Sequence, residues 1–133
     1  MMFIKLASII LFMISFVAYP KEISKYRGEY IKCLSTNVDN PMSTTCIDSE
    51  VNAQNQLIIS LVNKHKDIIS PEDGNSIDLK LFVKNQRKSI DEKCKLWLKA
   101  GGQNGVLLSK QCILDESMSL KNMLEEFVNV IDG

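Results

Sequence analysis

The residues of this 133-residue sequence with chemistry beyond packing are four cysteines, one histidine and several adjacent carboxylates. Cys33, Cys46, Cys94 and Cys112 include no Cys-x-x-Cys pair, so the spacing typical of structural zinc and thioredoxin-like centres is absent. His65 stands between Leu61 and Ile68-Ile69 on an apolar stripe, with no second histidine and no nucleophile motif beside it. It reads as a hydrogen-bonded residue at a helix seam rather than a general base or metal ligand. Asp91-Glu92, Asp115-Glu116 and Glu125-Glu126 are sequence neighbours, which point about 100° apart on a helix and cannot face each other as an acid/base pair. Glu72-Asp73-Gly74-Asn75 lacks the repeated oxygen ligands and terminal glutamate of a calcium loop. No Gly-x-Ser-x-Gly elbow, His-Glu-x-x-His pair, phosphate loop or dinucleotide fingerprint occurs. The expectation is a protein that is not an enzyme and uses no metal or cofactor.

The first residues say where the cysteines are to work. Lys5 precedes the apolar and small run Leu6–Ala18, the pattern of a secretory signal peptide over residues 1–20. The run is shorter than the roughly 18–20 residues that cross a bilayer, so membrane contact is expected only if this segment is retained. Ala18 suits a cleavage position, whereas Phe16 is bulky for its place. Export to an oxidising compartment turns an even cysteine count into an argument for disulfides. Loss of residues 1–20 removes Lys5 and no acid, leaving the 16 Asp and Glu one ahead of Lys and Arg. Without a basic surplus, nucleic acid is excluded as a partner.

The elements that must position these residues follow from periodicity. Residues 21–40 read as an N-terminal arm, with Tyr26, Tyr30, Ile31 and Leu34 forming a short amphipathic turn or two. Ser43-Thr44-Thr45 offers helix caps, and Ile47, Val51, Leu57, Ile58, Leu61, Val62, Ile68 and Ile69 recur at steps of three and four, predicting a helix over 44–69. Residues 70–76 form a dense turn signal. Leu79, Phe82, Val83, Ile90, Cys94, Trp97 and Leu98 mark a second helix over 77–99, which places Trp97 in the core. Ile113, Leu120, Met123, Leu124, Phe127, Val128 and Ile131 mark a third over about 107–130. The predicted fold of residues 21–133 is all-α: a three-helix bundle with an N-terminal arm, stapled by two disulfides.

Four cysteines allow three connectivities. A hairpin between the second and third helices would bring Cys94 to Cys112, leaving Cys33 to tie the arm to Cys46. That is the simplest pairing topologically. Each bridge adds about 2–4 kcal/mol by restricting the unfolded chain. The hairpin loop, Gly101-Gly102-Gln103-Asn104-Gly105, is polar and pinned by the second bridge, so it would bind a partner at reduced entropic cost.

The spacing of Asp91 before Cys94, the Gly101-Gly102 pair, and Cys112 followed by Ile113 and Leu124 resembles the LprI-type lysozyme-inhibitor family. In that family a helix ends in Arg-Asp-x-x-Cys, a Gly-Gly loop follows, and a cysteine opens the last helix. The signal peptide and the Cys33 to Cys46 spacing extend the resemblance over most of the mature chain. The sequence departs from the pattern at Gln86, Ile90 and Ser43-Thr44, which stand where the family has Trp, Arg and Met-Asn. The resemblance implies an exported inhibitor of a lysozyme-like cell-wall hydrolase. Its loop would enter the cleft between the hydrolase's two carboxylates, through Gln103 and Asn104 beside Gly101 and Gly102, with Lys99 approaching an acid. The alternative is an envelope or secreted protein-interaction module with no hydrolase target, docking through Tyr26, Tyr30 and Ile31.

Overall fold

The computed structural model describes residues 26–37, 40 and 43–133; the expected export segment lies outside them. Four α-helices are present among the described residues: α1 (Gly28–Thr36), α2 (Thr45–Lys64), α3 (Leu79–Cys94) and α4 (Gly102–Asp132), with a 3-10 helix over Lys95–Ala100. Their only β feature is an isolated antiparallel bridge between Ile69 and Ser76. The all-α class is as expected, but the arm contains a true helix, so the three-helix description needs correcting. Every other helix packs on α4 or on a helix that does. At 31 residues, α4 is about 47 Å long.

Polar pairs give the directions. Lys110 near the start of α4 pairs with Asp48 near the start of α2, and Asp132 at its end pairs with His65 at the end of α2. The two helices therefore run parallel. α3 runs the other way, with Cys94 bonded to Cys112 and Leu79 and Phe82 facing Leu124 and Phe127.

The apolar stripes bury into two clusters, and each cluster holds one disulfide. Ile58, Val62, Leu79, Val83, Ile90, Leu120, Leu124 and Val128 form the larger cluster, with Cys94 at one end of it. Tyr30, Ile47, Leu114 and Met118 surround Cys46. Both expected pairings are found: Cys33–Cys46 with Cα atoms 5.7 Å apart, and Cys94–Cys112 at 5.6 Å.

Several boundaries differ from the periodic reading, among them the end of α3 at Cys94 rather than 99. α2 stops at Lys64 rather than 69. Ile68 and Ile77 still reach the main core, but from a backbone hairpin joined by the Ile77 N–H to Ile68 carbonyl bond at 3.0 Å. Gly74, at φ 72°, reverses that hairpin, and the Asp73 carboxylate accepts the Asn75 N–H at 3.0 Å. That backbone bond, with the Asn75 and Ser70 side chains, lowers the Asp73 carboxyl from its ordinary value. α3 begins where Asp78 accepts the Leu81 N–H at 2.8 Å, a side-chain cap. α4 begins at Gly102, five residues before the periodicity shows it.

The arm is bolted to the bundle by polar groups as well as by Cys33. Glu50 is 1% exposed on α2. Its carboxylate accepts the Arg27 Nε–H at 3.0 Å, the Arg27 backbone N–H at 3.2 Å and the Gln54 amide at 2.8 Å. A carboxylate so deeply buried needs such partners. Nearby, Tyr26 donates to Asp115 at 2.7 Å and accepts from Gln111 at 3.1 Å, and its ring lies 4.7 Å from that of Tyr30. Burial, then the Asp115 carboxylate, push the Tyr26 phenol from 10.0 up to about 12.

Two outcomes follow. Arg27→Met should cost about 3 kcal/mol in denaturant unfolding, because Glu50 is left buried without its cation, and Arg27→Met with Glu50→Leu should recover most of that loss. The raised Tyr26 phenol means that the folded chain favours the neutral form. Its contribution is whole below pH 10.0 and is lost as pH climbs towards about 12. Unfolding measured across that window should show a smaller alkaline loss for Tyr26→Phe than for the parent.

Candidate functional site

The residues singled out for partner binding lie together at one end of the molecule, though not in a loop. α3 tightens into the 3-10 helix, Gly101 at φ 76° reverses the chain, and α4 starts at once. Gly102, Gln103 and Asn104 therefore form the first turn of α4, where a five-residue loop was expected. Two adjacent glycines in left-handed backbone make so short a reversal feasible. Lys99, Gly101, Gly102, Gln103 and Asn104 are all exposed.

Gly105 allows the close approach. It is buried against the 3-10 helix, and a Cβ there would stand 2.8 Å from the Trp97 carbonyl oxygen. The Cys94–Cys112 bridge clamps the same corner, assisted by the Lys93–Glu116 ion pair at 2.5 Å. A six-residue 3-10 helix is longer than most, and it turns its side chains outward. Leu96 is 73% exposed and Trp97 47%. Leu98, Val106 and Leu108 add further exposed apolar surface at this end.

The placement of Trp97 corrects the expectation of a core tryptophan. Its spacing from Cys94 suits the buried stripe only if the α-helix continues, and the tighter 3-10 winding rotates the residue away from it. The sequence did carry a signal: Leu96-Trp97-Leu98 is a consecutive apolar run, which no single helix face can bury entirely.

The electrostatics of the tip are positive. α4 has no side-chain cap and no acid in its first turn, so the N–H groups of Gly102, Gln103 and Asn104 meet the outside without intrahelical partners. With the helix dipole behind them and Lys99 adjacent, they form an end that favours carboxylates. The arrangement can grip a protein surface with an apolar anchor and a set of anion-seeking donors.

The remaining candidates fare differently. His65 is a seam residue, with Nδ1 3.3 Å from an Asp132 carboxylate oxygen and a side chain 13% exposed. Among the described residues, no three His, Cys, Asp or Glu gather to hold a metal ion. No described helix is long and apolar enough to cross a membrane. The alternative docking face is largely used internally: Tyr30 is buried and Tyr26 is engaged with Asp115, leaving Ile31 exposed.

Gly105→Ala should lose about 2 kcal/mol, the cost of overpacking against backbone. Trp97 is the sole tryptophan, so its emission should shift in the same variant as the tip lifts from α4. A parent-like denaturation midpoint and emission spectrum would contradict this account of the corner.

The family model described as Antitoxin TsiV3 matches residues 40–133, which span α2 to α4 and three of the four cysteines. The chain is 29% identical over 102 residues to the antitoxin protein TsiV3 of Vibrio cholerae serotype O1, covering 76% of this chain and 77% of that protein. No solved structure matches. The family found is thus TsiV3's rather than the LprI type; of that resemblance, a small helical domain with two disulfides stands.

Proposed function

Because this chain belongs to the TsiV3 antitoxin family, we propose that it is a protein-binding inhibitor that neutralises a toxin and performs no catalysis itself. The target class we assign is a lysozyme-like cell-wall hydrolase, met in the periplasm or outside the cell. The observation that carries this reading is the pinned tip, where an exposed Trp97 stands beside an uncapped, acid-free helix start and Lys99.

Such a hydrolase works with two carboxylates across a cleft. The tip suits that cleft in shape and in sign. Leu96 and Trp97 supply apolar area to bury, and the N–H groups of Gln103 and Asn104 can donate to a carboxylate in the excluded-water interior. Because the disulfide and Gly105 fix the corner beforehand, little conformational freedom remains to be lost on binding. Near-neutral overall charge leaves recognition to this local positive end rather than to long-range attraction.

The test is a cell-wall lysis assay, with the purified oxidised chain titrated into lysozyme-like hydrolases. Inhibition near equimolar amounts is expected. Trp97→Ala should weaken it by about 30-fold, as loss of a central aromatic anchor does, while leaving the denaturation midpoint nearly unchanged. Reductant, or Cys94→Ser with Cys112→Ser, should also relieve inhibition. Full lytic activity at a large excess of oxidised chain would remove the hydrolase from the proposal.

A further inference from the structure

From the opposite use of surface on α2 and α3, we infer that the chain has a second docking site, a groove for an acidic amphipathic helix of a protein partner. α2 and α3 both pack on α4 and scarcely touch each other. The gap between them is a groove of about 520 Å³. Its floor is apolar, made by Ile58, Ile59, Val62 and Val83. Ile59 is 40% exposed there, an apolar side chain left in water by the splay of the two helices.

The rim decides what fits. Lys80, Lys84, Arg87 and Lys88 line the groove from α3, with Asp91 the single acid. None of these four cations belongs to an ion pair among the described residues, although other lysines of the chain do. Arg87 reaches across to the Asn55 carbonyl of α2 with a long 3.4 Å bond, and its buried Nε–H has no acceptor. A carboxylate entering at that point would satisfy the orphaned donor and could take the guanidinium fork in two bonds.

The cations recur along α3 at helical spacing over about 12 Å, which matches carboxylates repeated every three or four residues on a partner helix. A lipid or fatty acid offers one charged head and would be met by a cluster at one end of the groove, not by a ladder along its side. The occupant is therefore a helix with one apolar face bordered by acids. The groove shares no residue with the tip, so this inference stands apart from the hydrolase reading.

The experiment uses the full oxidised chain, isotope-labelled, and a synthetic helical peptide with leucines on one face and glutamates at i, i+4 and i+7 beside it. Saturable amide shifts confined to α2 and α3 are expected. Lys84→Glu with Lys88→Glu should weaken binding by about tenfold or more, with the weakening reduced at high salt, and Ile59→Gln should weaken it without salt dependence. Both variants change exposed side chains, and an unchanged amide spectrum elsewhere reports that they fold. The inference is overturned by shifts outside the groove, by no saturable binding, or by equal binding of a peptide with lysines for glutamates. It is likewise overturned if phosphatidylglycerol vesicles shift the groove amides and the peptide does not.

Discussion

α4 is the constraint on which the other elements depend. It runs through both apolar clusters, as α2 also does, giving Leu114 and Met118 to one and Leu120, Leu124 and Val128 to the other, and it is the element that α2, α3 and the 3-10 helix all pack against. A core divided in two cannot reach the depth of a single compact one, and a domain of this size has little stability to spare. The two disulfides sit where that shortage is felt. Cys33–Cys46 anchors α1 within the smaller cluster, and Cys94–Cys112 joins α3 to α4 at the edge of the larger. Covalent closure there replaces apolar area that the short helices do not possess.

Polar groups supply the orientation that two small cores leave open. Glu50, buried on α2, accepts from both the backbone and the side chain of Arg27, so the start of α1 can occupy one position only. Tyr26 and Gln111 repeat the device against Asp115 on α4. Buried polar contacts of this kind discriminate among arrangements more than they stabilise any one. In this chain they act on α1, whose single buried residue is Tyr30.

The same architecture creates the exposed surfaces. At the tip, 3-10 winding and a one-residue reversal turn Leu96, Trp97 and Leu98 outward while Gly105 and the second disulfide keep the corner rigid. Between α2 and α3, attachment of both helices to α4 leaves a gap with an apolar floor. Both surfaces are by-products of how neighbouring helices are fastened, and both combine apolar area with positive charge. That combination suits the binding of another protein.

Periodicity in the sequence was enough to indicate the all-α class and most of the buried faces of α2, α3 and α4, and it favoured, among three possible connectivities, the two pairings found, because these depend on local spacing and on which cysteines a hairpin brings near. The seam position of His65 was legible for the same reason. Tertiary contacts decided the rest. Nothing in the local sequence marks Glu50 as buried; it is Arg27, distant in sequence, that covers and pairs it. Ile68 continued the helical rhythm yet lies in a hairpin, since apolar residues can enter a core from either backbone. Trp97 turned outward because the winding changed at Lys95, and the early start of α4 rested on Gly105 meeting the Trp97 carbonyl. Spacing along a chain records which side of a helix is apolar. It does not record where the helix stops, nor which distant group will arrive to pair a buried charge.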